Sequence, residues 1–190
     1  NVIPCENALF NGDLLLKELV KTEIASEDDF LKAAAFPNTA VDRMVFGTDK
    51  DGRDGIDIGK DHELAVEVNK LVDPEKLPIA GAEYTDNLQK FLERKLYTIN
   101  CGHAWSGYIG KLMGYEIIQD YFAVPENIEM TREVMREVAA LMVAKHGFTE
   151  KEMEDYITFA LNRFCTPGIK TRSHVSPGRR SESLHRMTVW

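Results

Sequence analysis

TDNLQKFLERKLYTINCGHA, residues 85–104, is the stretch that decides the fold. Thr85-Asp86 reads as a helix cap, and Leu88, Phe91, Leu92, Leu96 and Ile99 follow at helical spacing. The apolar pattern continues through Trp105, Ile109 and Leu112 to Gly114, so the spacing predicts one long amphipathic helix. Residues 115–123 predict a shorter helix, and Pro125 a turn. Residues 130–146 predict a well-formed helix with Gly147 as its C′ residue. Thr149 with Glu152 forms a capping box for a last helix that stops before Pro167.

Upstream the pattern changes. Residues 1–5 (NVIPC) are β-like and predict the end of a strand, followed by a turn and an amphipathic helix carrying Leu9, Leu15, Leu16, Leu19 and Val20. A lone terminal strand has no partner in view, which implies a chain that begins inside a larger fold. Ser26 is an N-cap before Glu27, Asp28 and Asp29, predicting a short helix to about Ala35 that Pro37 ends. Residues 39–46 predict a strand. Residues 47–60, dense in Asp and Gly, predict a hairpin loop. A calcium loop starting at Asp49 fails there, because Arg53, Asp54 and Lys60 stand where a ligand, a glycine and a bidentate glutamate are needed. Ile56, Ile58, Leu64, Val66 and Val68 alternate with polar residues, as in two short antiparallel strands with one covered face. The expected fold class is mainly α with a small antiparallel β-sheet.

At 190 residues the chain is long enough for one domain with a real core. The net charge of −8 is unevenly spread: residues 170–190 hold five Lys/Arg against one acid, so residues 1–169 carry −12. Such a body does not attract nucleic acid. No apolar run reaches the ~18 residues of a membrane span, and no signal peptide is visible. Cys5, Cys101 and Cys165 are odd in number and lack zinc-ligand spacing, which suits free thiols in a cytoplasm.

Lys95, Asn100 and His103 are the candidate chemistry. At 3.6 residues per turn, Asn100 lies about 140° and His103 about 80° around the helix from Lys95. All three then share less than half the circumference. An amine, an amide and an imidazole offer a proton acceptor, an oxyanion donor and a group that orients a hydroxyl. Against this stand a solvated lysine and a satisfied core histidine. Gly102, Gly107 and Gly110 favour a close approach by a ligand or a second backbone.

The K-x4-N-x2-H pattern resembles the signature of the polyol-specific long-chain dehydrogenases and reductases, the mannitol dehydrogenase family. Residues 85–104 look most like its mannitol-1-phosphate 5-dehydrogenase branch. Pro4-Cys5-Glu6-Asn7, with Asn11-Gly12 after it, is similar to that family's CEN or CDN turn, and Phe36-Pro-Asn-Thr-Ala-Val-Asp42-Arg43 to its VDR strand. The resemblance implies a helical C-terminal domain like that of 6-phosphogluconate dehydrogenase. Residues 1–6 would be the remnant of the last strand of a missing Rossmann domain, and residues 7–169 an incomplete substrate-binding and catalytic domain. Residues 170–190 would be a basic tail foreign to the family pattern, a candidate non-native segment.

The implied activity is a metal-independent, NAD-dependent interconversion of mannitol 1-phosphate and fructose 6-phosphate in cytoplasmic polyol metabolism. Lys95 would be the general base, its amine neutral through burial. Asn100 and Asn7 would hold the oxygen, with Asn7 also at the cofactor, and His103 would orient Lys95 or the hydroxyl. Asp42, Arg43 and Arg179 would frame the substrate. A hexuronate (fructuronate or tagaturonate) reductase, a mannitol 2-dehydrogenase and a catalytically silent helical interaction domain stay open as alternatives. No Gly-x-Gly-x-x-Gly occurs, so no turnover by this chain alone is expected. Self-association through an exposed junction face near residues 2–20 is expected; a nucleic-acid or membrane partner is not.

Overall fold

A computed structural model describes residues 1–50, 52–76 and 79–166, the side chains of 46–50 and 57 excepted. The expectations for Arg179 and the basic tail fall outside the described residues. The chain divides into two compact units, Asn1–Leu92 and a second that begins at Glu93.

The first unit opens without the expected strand. Val2 N–H donates to Ala35 O (2.8 Å), but residues 1–6 form no ladder. Pro4 has no N–H to give, and its carbonyl accepts from the side chains of Asn11 and Thr39 instead. Helix α1 (Asn11–Val20) follows, then α2 (Glu27–Ala33), which Ser26 and Asp29 cap reciprocally. Phe10, the residue before α1, is left-handed at φ 52. Gly12 sits under the chain at Phe36 and Pro37: a Cβ there would lie 2.4 Å from Phe36 O, so no larger residue fits without a shift.

Strands β1 (Thr39–Lys50) and β2 (Arg53–Glu67) pair antiparallel over nearly their whole length, from Thr39↔Val66 to Lys50↔Arg53. The stretch expected to be a hairpin loop is therefore mostly strand. The ladder runs to Lys50↔Arg53, and Gly52 beyond it takes φ 72, the left-handed conformation that a tight hairpin turn uses. The register shifts between Arg43 and Val45, where Gly59, Lys60 and Asp61 bulge opposite Met44. The expected alternation with one covered face does not hold: Ala65 and Val66, neighbours on opposite faces of β2, are both buried, whereas Ile56 and Ile58 are exposed.

The two short strands expected over residues 56–68 are a single strand, β2, and a third strand, β3 (Glu83–Thr85), forms where none was expected. It pairs parallel with Ala65–Glu67, so the sheet is mixed, in the order β1-β2-β3, and not purely antiparallel. Thr85 is therefore more than a helix cap: it closes β3 while its hydroxyl accepts from Asn87 N–H. Ala40, Ala65, Leu88, Phe91 and Leu92 form the small apolar core of this unit.

The second unit is helical. Helix α3 (Leu88–Arg94) runs into it through a π-helical turn, Lys95–Asn100, and on into α4 (Cys101–Leu112). Then come α5 (Ile118–Phe122), α6 (Pro125–His146) and α7 (Glu150–Phe164). Pro125 begins a helix and not the expected turn; a proline at the first helical position loses no intrahelical bond. Gly147 at φ 70 ends α6, and Thr149 with Glu152 caps α7. One large core joins these helices through Ile99, Tyr121, Met135, Met142, Ile157 and Phe164. The architecture is mostly helical with a small mixed sheet. Among the described residues no helix is long and apolar enough to cross a membrane, and no group of three His/Cys/Asp/Glu could hold a metal ion.

Candidate active site

Lys95, Asn100 and His103 all lie in the helical unit, on one unbroken helical run. The run is not α-helical throughout. Lys95 and Asn100 are the first and last residues of the π-helical turn, whose bonds span i→i+5 and whose coil is wider than that of an α-helix. Each residue then rotates the chain by less. The angle of about 140° read from 3.6-residue spacing is therefore too large for Lys95 and Asn100, and the same correction swings His103 toward Lys95. Such turns occur mostly as one-turn insertions and often at functional sites.

The three side chains differ in exposure. Lys95 is buried at 6% and His103 at 3%, while Asn100 is half-buried. The His103 ring packs 5.4 Å from Phe164 of α7, which itself stacks on Phe122. Burial holds its pKa down to about 4, so the imidazole is neutral at ordinary pH and able both to donate and to accept. Thr98, inside the π turn, is fully buried, and its hydroxyl has no hydrogen-bond partner among the described residues.

What seats this helix is a buried chain of hydroxyls that sequence reasoning missed. Ser106 donates to Gly102 O (2.7 Å) and meets Thr131 of α6 at 3.3 Å. Thr131 donates to Asn127 O and lies 3.3 Å from Tyr121 OH. Gly102 lets α6 approach, since a Cβ there would come within 2.7 Å of Met135 Sδ. The legible signal was small polar residues on faces otherwise patterned as core. Arg94, next to Lys95, is buried with its guanidinium over Tyr156 (4.2 Å) and Phe148 (5.1 Å).

Asn7, Asp42 and Arg43 belong to the first unit. Asn7 is exposed, its backbone N–H on Glu6 Oε1 at 3.1 Å. Asp42 is 1% exposed, whereas Arg43 is exposed on the opposite face of β1 and donates to Gly59 O (3.0 Å). The turn that carries Asn7 is held by residues not singled out as functional. Asn11, 3% exposed, donates through Nδ2 to Glu6 O, Pro4 O and Thr39 Oγ1, and accepts from Thr39 N–H. Asn38 accepts from Asp13 N–H and donates to Asp13 and Glu67, both of which also pair with Lys70. Burial raises the Asp13 pKa, but bonds from Lys70 and Asn38 outweigh it, so the carboxyl titrates below its ordinary range. The two N-terminal segments quoted from the sequence are thus knitted into one network.

The family models divide the chain in a related way. The model of the mannitol dehydrogenase Rossmann domain matches residues 1–76, and that of the mannitol dehydrogenase C-terminal domain matches residues 87–175. A mannitol-1-phosphate 5-dehydrogenase of Paenarthrobacter aurescens is 38% identical over 167 residues, which are 87% of this chain and 43% of that protein. One from Chaetomium globosum is 33% identical over 172 residues, 89% of this chain and 43% of that protein. The chain thus spans less than half the length of these relatives. Two solved structures share the fold over 90% of this chain and 38% of their own: Pseudomonas fluorescens mannitol 2-dehydrogenase in complex with NAD and D-mannitol (TM-score 0.64, 23% identity) and a substrate-free D-sorbitol dehydrogenase (TM-score 0.72, 22% identity).

Within residues 1–76 the described strands form an antiparallel ribbon, and no Gly-x-Gly-x-x-Gly follows a strand. Two matching domain models in their family order, relatives above 30% identity over most of the chain, and a lysine, asparagine and histidine on one helix agree: the chain belongs to the mannitol dehydrogenase family.

Proposed function

We propose that this chain supplies the catalytic helix of an NAD-dependent oxidoreductase that interconverts mannitol 1-phosphate and fructose 6-phosphate. The observation that carries the reading is Lys95, buried at the head of a π turn that ends at Asn100, one short step before the neutral, buried His103. The relatives named mannitol-1-phosphate 5-dehydrogenase support the substrate class.

In this reading Lys95 Nζ takes the proton of the alcohol being oxidised, which requires a neutral amine. The Asn100 amide donates to the oxygen as negative charge grows on it, and Asn7 is assigned the same task through the family resemblance. His103, neutral and wedged against Phe164, holds an acceptor or donor at fixed orientation for the lysine or the hydroxyl. Asp42 and Arg43 are assigned to the substrate frame. The lysine base makes the proton step metal-independent.

The test joins this chain behind the N-terminal half of the Paenarthrobacter relative and follows NADH formation with mannitol 1-phosphate and with mannitol. Turnover of the phosphate that falls about a hundredfold or more in Lys95→Ala is the expected result. Undiminished turnover in that variant removes Lys95 from the mechanism. Turnover of mannitol alone would favour a free-polyol enzyme, the reading suggested by the mannitol 2-dehydrogenase fold neighbour. Turnover of neither would sink the oxidoreductase reading.

A further inference from the structure

A helical run can open into i→i+5 bonding at any of several neighbouring residues unless something outside the run fixes the place. Here the helical unit grips the run on both sides of the π turn. Downstream, Gly102 and Ser106 lie against Met135 and Thr131 of α6. Upstream, the two residues directly before Lys95 are held at the corner where α6 passes into α7.

Glu93 makes the first of these upstream contacts. Its side chain is 13% exposed, and one oxygen, Oε2, accepts from both Lys145 Nζ and His146 Nε2 at 2.7 Å. Lys145 and His146 are the last two residues of α6, and the His146 side chain is itself buried at 8%. Arg94 makes the second contact, its guanidinium lying over Phe148 and over Tyr156 of α7. Bonds from cationic donors to a carboxylate are short and strong, so two on one oxygen hold the backbone of Glu93 to a narrow range. An ion pair that only tied two helices together could sit anywhere along them. This one sits two residues before the lysine, at the mouth of a turn in which Cys101 N–H reaches back five residues to Leu96 O.

We propose that Glu93 is a positioning residue for Lys95. Held by Lys145 and His146, it fixes the residue at which the run opens into the π turn, and with it the angle between Lys95, Asn100 and His103. Its weight for catalysis rests on the reading of Lys95 as the proton acceptor.

Two measurements keep the turn and the chemistry apart. In this chain, NMR couplings across backbone hydrogen bonds identify the acceptor of Cys101 N–H. The parent should couple to the Leu96 carbonyl carbon. Glu93→Ala should lose that coupling and gain one to Tyr97, four residues back, as in an α-helix. Glu93→Gln, whose amide oxygen still accepts, should keep the coupling to Leu96. If circular dichroism shows Glu93→Ala unfolded, His146→Ala, which leaves the Lys145 bond in place, carries the same expectation. A folded variant that has lost its grip on α6 yet still couples to Leu96 overturns the proposal.

The second measurement uses this chain joined behind the N-terminal half of the Paenarthrobacter relative. Glu93→Ala should lower kcat for mannitol 1-phosphate about tenfold or more while KM changes less than about threefold, because a displaced base weakens the transition state and spares ground-state binding. Glu93→Gln should recover most of that loss. A shifted coupling with kcat unchanged overturns the positioning role. A parent without turnover sinks the oxidoreductase reading instead, and the couplings then decide by themselves whether Glu93 sets the turn.

Discussion

The two units of this chain are held together by different chemistry. The first has a small apolar core of Ala40, Ala65, Leu88, Phe91 and Leu92, and relies on buried polar side chains: Asn11, Asn38 and Thr39 are each 3% exposed or less and bond to side chains and backbone of elements far apart in sequence. The second also buries polar groups, Lys95, Thr98, His103, Ser106, Asn127 and Thr131 among them, but sets them around a large apolar core that includes Tyr121, Met142, Ile157 and Leu161. Apolar packing tolerates approximate partners and gains with area, whereas a buried amide is worth little unless every bond is made. The helical unit should therefore fail gradually under truncation. The N-terminal unit should fail at single polar positions.

The comparison breaks most readily at Met142, fully buried in the helical core. Met142→Ala should cost about 2–5 kcal/mol, and hydrogen exchange should show the loss in α6 and α7 while the β1–β2 ladder keeps its protection. Equal loss in both units would mean that they do not differ as described.

Acid gives the next effect, again in the helical unit. His103 has its pKa lowered from 6.5 to about 4 by burial. The unfolded chain therefore binds this proton first as pH falls. The stability contribution is complete above about pH 6.5, declines through the interval down to about pH 4, and amounts to roughly 3 kcal/mol in all. Denaturant titrations at several pH values should show a steeper acid decline for the parent than for His103→Gln. Parallel slopes for the two would remove His103 as the cause.

Asn11→Ala should be smaller but sharper in place. It strands the Thr39 N–H and removes the donor to Pro4 O and Glu6 O, at about 1–3 kcal/mol. Exchange should rise at residues 4–8 and 38–40 and stay unchanged in α6. A variant as protected there as the parent would show that the network is decorative.

Much of the fold was legible from local signals. The Ser26 and Thr149 caps, the Gly147 stop and the periodicity of α1, α6 and α7 are encoded within a few residues of where they act. β3 was not, because three residues in a parallel pair with β2 carry no period of their own. Nor was the full length of the ribbon, whose Asp and Gly content resembles a loop although the strands pair as far as Lys50↔Arg53. Lys95, Asn100 and His103 were found as a spacing; their angular relation was not, since nothing in the residue types announces a switch from i→i+4 to i→i+5 bonding.

By itself, then, the sequence determined the family, the helices with their caps, and the three residues that share one helical run. Those depend on side-chain identity at short range. Only the tertiary structure decided that Lys95 and His103 are buried, that the run widens into a π turn between Lys95 and Asn100, and that Asn11, Asn38 and Thr39 lock the turn bearing Asn7. Burial and hydrogen-bond partnership are set by residues distant in the chain, so no local pattern of residues could have disclosed them.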